Sequence, residues 1–208
     1  MKPIITVDFD GALLRHRPFE RAHINWFDLF ARLLKDNSIK EAGYRENYFD
    51  KVHEVMERYL GKGVSSEARV EFARELFAMV TVAEVQQNDL VAEFADYLRS
   101  LKDRYTLALI TSAPASSVEP ILQKVGCSGL FDVVYKSPVA KHPNKEQLFK
   151  EFIEKHGKPA FYIGNGDKDI LFCKKLGITT ISVSWVSKGE IKGDYDISKV
   201  KELEKILK

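Results

Sequence analysis

Five short runs, PIITVDF, YTLALIT, DVVYK, PAFYIG and TTISVS, are rich in β-branched or aromatic residues and lack the regular polar alternation of a half-solvated strand. Strands of that texture are buried on both faces, and a parallel sheet covered by helices provides such burial. The intervals agree. NDLVAEFADYLRSLKDRY opens on Asn88 or Asp89 as an N-cap and puts Leu90, Phe94, Leu98 and Leu101 on one stripe. SSVEPILQKVG starts at Ser116 or Ser117 and stops at Gly126, NKEQLFKEFIEKHG runs from an Asn144 cap to Gly157, and KDILFCKKLG ends at Gly177. The tail ISKVKELEKIL reads as a last helix. Strand and helix in alternation predict an α/β fold, a three-layer Rossmann-like core with a parallel sheet.

Residues 14–87 break that rhythm. FERAHINWFDLFARLLKD places Ile24, Phe27, Ala31 and Leu34 at helical spacing with Phe30 beside them, and YRENYFDKVHEVMERYL and SSEARVEFARELFAMV carry the same period. The expected organisation is a core of residues 1–13 and 88–208 with a small all-helical insert, 14–87, placed after the first strand. Trp26, Phe27 and Phe30 read as the core of that insert, and Arg15, His16 and Arg17 as a solvated hinge into it.

Composition narrows the partners. Lys+Arg 32 against Asp+Glu 30 leaves a net charge of +2, no electrostatic footprint for nucleic acid or an anionic membrane surface. The 2 cysteines, Cys127 and Cys173, indicate neither a disulfide framework nor a thiolate metal site. No stretch has the length and apolarity of a membrane span and no signal peptide is evident, so a soluble cytoplasmic protein is expected. The five histidines are scattered without ligand spacing, and the sequence assigns them no role.

A parallel sheet sends every strand's carboxyl end to one edge, where ligands bind. Asp8 and Asp10 end the first strand, Thr111 and Ser112 the second; Lys141 lies in the loop after the third; Asn165, Asp167 and Asp169 follow the fourth. Two carboxylates as close as Asp8 and Asp10 repel each other unless a cation sits among them.

These residues resemble the motifs of the haloacid dehalogenase superfamily along most of the chain. DFDG is similar to its DxDG after an apolar strand, Thr111 closing LALIT to its second motif, Lys141 in AKHPNKEQLF to its lysine, and GNGDKD to its acidic fourth motif. The helical insert looks like that family's cap. The resemblance implies a phosphatase acting on a small phosphorylated metabolite. Asp8 would be the nucleophile that forms an aspartyl-phosphate, and Asp10 the acid and then the base. Thr111, Ser112, Gly11 and Lys141 would hold the phosphoryl group, and Mg2+ would sit among Asp8, Asp10, Asn165 and Asp169. Asn165 stands where the family usually has aspartate. It keeps an oxygen ligand and loses a charge, which implies weakened metal binding. A dehalogenase, a phosphomutase and a catalytically impaired binding protein are the alternatives; Asp10 argues against the first, and Asn165 favours the last.

Overall fold

The computed structural model describes residues 2–44, 48–186 and 189–207, apart from the side chain of Phe49; residues 45–47, in the second helical pattern of the insert, lie outside the described residues. Strands β1 (Ile4–Val7), β2 (Thr106–Pro114), β3 (Val133–Ser137), β4 (Phe161–Gly164) and β5 (Thr179–Val183) occupy the five predicted runs. A sixth, β6 (Tyr195–Ile197), completes a sheet of order β3-β2-β1-β4-β5-β6 in which every neighbouring pair is parallel. The chain moves outward from β1 in one direction through β2 and β3, then returns to β1's other side with β4. The strand order therefore reverses between β1 and β4, and the crevice at a parallel sheet's carboxyl edge opens there.

Between β1 and β2 run α1 (Arg17–Leu34), α2 (Ser38–Ala42), α3 (Tyr48–Leu60), α4 (Ser66–Glu84) and, leading back into the sheet, α5 (Ala92–Leu101). Then come α6 (Ala115–Lys124), α7 (Lys145–His156) and α8 (Asp167–Lys175) in the strand intervals. Burial divides them into three groups. Phe94 and Leu98 of α5 and Val118 and Ile121 of α6 pack with Ile5, Val7 and Phe9 on one face of the sheet. Leu148, Phe149 and Phe152 of α7 and Ile170 and Cys173 of α8 pack with Tyr162 on the other. The early helices have an apolar centre of their own, in which Trp26, Phe27 and Phe30 meet Ile39, Val55 and Ala73. Ile24, expected on the buried stripe of α1, is 41% exposed, because Trp26 rather than Ile24 turns toward α4.

The tail departs from expectation. Ile197 pairs with Val183 as an edge strand, and only a 3-10 helix over Val200–Lys205 follows. The edge was hidden because Tyr195 and Asp196 are exposed, so the run lacks the apolar texture of the inner strands. Glu202 folds back to accept from the Ser198 and Lys199 backbone N–H groups, which fixes the tight turn. Asp89, predicted to cap α5, instead ends a 3-10 turn and accepts from the Gln86 backbone N–H at 2.8 Å; α5 begins at Ala92.

The start of α7 has a consequence for the site. The Asn144 side chain accepts from the Gln147 N–H at 3.0 Å, so the helix begins where the sequence places its cap. Asn144→Ala should lower stability by about 1 kcal/mol in urea denaturation, the usual worth of an N-cap, whereas a loss under about 0.3 kcal/mol would show the bond contributes nothing.

Candidate functional site

Side chains two apart on a strand share a face, and β1 uses both faces. Ile5, Val7 and Phe9 enter the core beneath α5 and α6. The alternate face carries Thr6, whose hydroxyl donates to the Phe161 carbonyl, and beyond it Asp8. The Asp8 carboxylate is almost wholly buried. Its Oδ1 accepts from the Phe9 backbone N–H at 2.8 Å and lies 2.6 Å from the Lys145 Nζ; the Tyr162 hydroxyl, 3.1 Å away, donates to Oδ2.

Lys145 is the centre of the cluster. It stands on the first turn of α7, and its ammonium also lies 2.6 Å from Asp169 Oδ2, which the Tyr162 hydroxyl reaches at 3.1 Å. Burial pushes the Asp8 carboxyl upward against the pull of Lys145. Burial also disfavours the Lys145 charge, but the two carboxylates outweigh it and raise its pKa, so the ammonium persists.

Lys141, expected in this position, is not there. Its side chain is exposed and does not line the cleft; its backbone carbonyl accepts from Arg74. The physical reason lies in α7: Lys145 precedes Leu148 and Phe149 by three and four residues and shares their inward stripe, whereas Lys141 precedes Pro143 in a loop. Two more expectations change. The Gly11 N–H donates to the Leu14 carbonyl at 2.8 Å and is not available to a phosphoryl group. Its contribution is conformational: φ is +80°, and a Cβ would meet the Asn165 carboxamide at 2.3 Å. Asp169, expected as a metal ligand, has one carboxylate oxygen engaged by Lys145 and Tyr162.

The remaining predicted residues gather at the same edge. Asp10 lines the cleft and its carboxylate meets His16 Nδ1 at 2.7 and 2.8 Å. Burial pushes the Asp10 carboxyl up to about 6, and hydrogen bonding to Asp10 raises His16. The sequence treated His16 as part of a solvated hinge and gave no signal for this pairing. Thr111 is buried in the cleft wall, its hydroxyl oxygen accepting from the Ala113 N–H at 3.1 Å; Ser112 lies beside it. Asp167, a carboxylate close to the fourth motif, accepts from the Ile191 and Glu190 N–H groups and pins a neighbouring loop.

The early helices close the site from above. Arg74 of α4 is buried and donates to the Ser112 and Pro138 carbonyls and the Ser137 hydroxyl as well as to Lys141. Burial among these neutral acceptors lowers its pKa to about 10. The cleft between these helices and the sheet edge has a volume of about 1060 Å³.

A family model for haloacid dehalogenase-like hydrolases matches residues 3–177. The chain belongs to that family. Solved relatives share the fold of this hydrolase at low identity. A haloacid dehalogenase-like hydrolase from Streptococcus pneumoniae is 19% identical with a TM-score of 0.69, covering 100% of this chain and 99% of the other. A predicted phosphatase from Clostridium acetobutylicum gives 18%, 0.69, 100% and 99%. A HAD hydrolase from Bacillus subtilis, described as bound to magnesium, gives 15%, 0.64, 99% and 98%. No curated protein matches the sequence.

Two outcomes follow for this hydrolase. Lys145→Met leaves Asp8 and Asp169 buried without their cation and should cost about 3–5 kcal/mol in chemical denaturation, whereas Lys141→Met should stay within about 0.5 kcal/mol. Equal losses would contradict the assignment. The His16 imidazole should titrate above 6.5 by NMR, and Asp10→Asn should bring its midpoint down; an unmoved midpoint would mean the pair does not form in solution.

Proposed function

We propose that this hydrolase is a magnesium-dependent phosphatase that cleaves phosphate monoesters through an aspartyl-phosphate on Asp8. The observation that carries the reading is the buried Lys145 ammonium shared between Asp8 and Asp169 at the switch point of the sheet. A carboxylate desolvated there yet held by Phe9 N–H and Lys145 has a fixed direction of attack. One Asp8 oxygen bonds to phosphorus while the ester P–O bond breaks, and the departing oxygen takes a proton from Asp10. Water then attacks the phosphorus of the acyl phosphate, Asp10 accepts its proton, and Asp8 and inorganic phosphate are restored. A carboxyl raised to about 6 is suited to exchange a proton in both directions near neutral pH. Lys145 offsets negative charge that accumulates on the phosphoryl oxygens, and Thr111 supplies a hydroxyl beside it.

The donor set fits Mg2+. Asp8, Asp10 and Asp169 outnumber the single ammonium among them, which leaves a negative excess, and the available donors are hard oxygens. Asp8, the Asp10 main-chain carbonyl and the Asn165 side-chain carbonyl would hold the ion, which when bound supplies neutralising charge to the phosphoryl group. Asn165 lies against Gly11, next to Asp10, and brings an oxygen without a charge.

Hydrolysis of p-nitrophenyl phosphate with Mg2+ tests the reading. Asp8→Asn should reduce kcat by roughly four orders of magnitude or more, as loss of a nucleophile does. Asn165→Asp should lower the magnesium concentration for half-maximal rate by about tenfold or more, since one added charge at effective dielectric 20 is worth about 4 kcal/mol at contact. Undiminished turnover in Asp8→Asn would exclude the aspartyl-phosphate. Absence of turnover with any of several divalent metals would favour a binding protein that retains the fold, the reading that Asn165 suggests.

A further inference from the structure

The proposed reaction leaves one buried titratable group without a part. Tyr162 lies on β4 with no accessible surface, and its hydroxyl stands 3.1 Å from Asp8 Oδ2 and 3.1 Å from Asp169 Oδ2. A phenol has one hydrogen to donate, so it serves one of the two carboxylates at a time. Burial, and after it the two carboxylates, push the hydroxyl's pKa well above the ordinary tyrosine value, so it remains a donor. The ring is locked in place. Phe149 meets it edge-on with 5.6 Å between ring centroids, and the Lys145 ammonium lies 5.7 Å over its face. Gly164, two residues along the strand and on the same face, leaves the space that the phenol fills: a Cβ there would meet the Tyr162 hydroxyl oxygen at 2.3 Å.

The two Asp8 oxygens are held unequally. Oδ1 accepts from the Phe9 N–H and contacts Lys145, whereas among the described residues Tyr162 is the one donor to Oδ2. A carboxylate gripped at one oxygen can still turn about its Cβ–Cγ bond, and the hold on Oδ2 stops that rotation. Phosphorylation changes the balance. Once Asp8 carries a phosphoryl group its carboxylate charge is gone, and both of its oxygens become neutral, weaker acceptors. A hydrogen bond to an ionised acceptor is roughly twice as strong as one to a neutral acceptor, and Asp169 keeps its charge beside Lys145. A turn of the O–H about the Cζ–Oη bond, with no movement of the ring, exchanges one partner for the other.

Resting on the phosphatase reading, we propose that Tyr162 is a positioning residue for the nucleophile: its hydroxyl donates to Asp8 before the attack on phosphorus and to Asp169 while Asp8 is phosphorylated. The phenol keeps its proton throughout, and only the direction of the O–H bond changes. Asp8 is thus aimed in the free enzyme, and the phosphorylated enzyme leaves this buried donor paired.

Tyr162→Phe removes the hydroxyl and keeps the ring in its slot. With p-nitrophenyl phosphate and saturating Mg2+, kcat should fall by about tenfold to a hundredfold, the scale of a misaimed reacting group. KM should stay unchanged, because Tyr162 has no accessible surface and touches no substrate. A kcat within about twofold of the wild type, or a raised KM with kcat intact, would overturn the proposal. Failure of the phosphatase reading looks different: Asp8→Asn would then hydrolyse p-nitrophenyl phosphate like the wild type, whatever Tyr162→Phe does. The exchange of partners is read without that variant, by proton NMR of the unmutated protein isotope-labelled on its tyrosine rings. The slowly exchanging Tyr162 hydroxyl signal should shift when Mg2+ and beryllium fluoride, an analogue of the phosphoryl group on aspartate, saturate the site. Asp169→Asn, which offers a neutral acceptor, should shrink that shift. A signal that stays in place at saturation, or an equal shift in Asp169→Asn, would overturn the handover.

Discussion

One ammonium holds the working edge of this molecule together. Lys145 sits 2.6 Å from carboxylates that end two neighbouring strands, and little water reaches the three groups. Desolvating three charges is costly, and the attraction repays it only when the geometry is close and the remaining lone pairs are satisfied. The Phe9 N–H and the Tyr162 hydroxyl perform that satisfaction. Such a cluster is a poor device for stability alone, since well-packed apolar groups would serve as well. On the phosphatase reading proposed above, it is a preorganised site: a nucleophilic carboxylate beside a fixed positive charge that does not have to reorient as charge develops on a reacting phosphoryl group.

The early helices act on that same edge. Arg74 links α4 to the end of β2, to Ser137 at the end of β3 and to the loop that leads into α7. A guanidinium provides five donors in a rigid fork, which suits it to gather several carbonyls at once. Its hydrogen-bond partners are neutral, so burial depresses its pKa and the nearby Glu75 and Tyr48 offset that only in part. Docking of the helices, the position of Ser112 and the approach to Lys145 are thereby mechanically connected. The same helices thus also brace the loop that leads to Lys145.

Much of this was legible in the amino-acid sequence because it rests on local periodicity. Five strands, the Asn144 cap and the convergence of Asp8, Asp10, Thr111 and the 165–169 segment on one edge follow from texture, capping and the geometry of a parallel sheet. The lysine was misassigned for a reason the sequence itself contains. Two lysines flank Pro143, and motif resemblance points to Lys141; helical phase points to Lys145, which shares the stripe of Leu148, Phe149 and Phe152. Tyr162 and His16 were out of reach. Tyr162 reads as an ordinary strand aromatic, and only the packing of β4 beside β1 shows that its hydroxyl reaches two carboxylates. The His16–Asp10 contact depends on the tight turn between them, in which the Leu14 N–H donates to the Phe9 carbonyl and the Gly11 N–H to the Leu14 carbonyl.

Everything proposed for this edge requires Asp8 to be the atom donor to phosphorus. Acid-quenching the enzyme within milliseconds of mixing with a phosphate monoester and Mg2+, followed by peptide mass spectrometry, observes that bond directly. The expected result is one phosphoryl group on the peptide containing Asp8, lost on mild alkaline treatment as an acyl phosphate is. Phosphate released in a burst with every aspartyl peptide unmodified, or a phosphoryl group on another side chain, would contradict it.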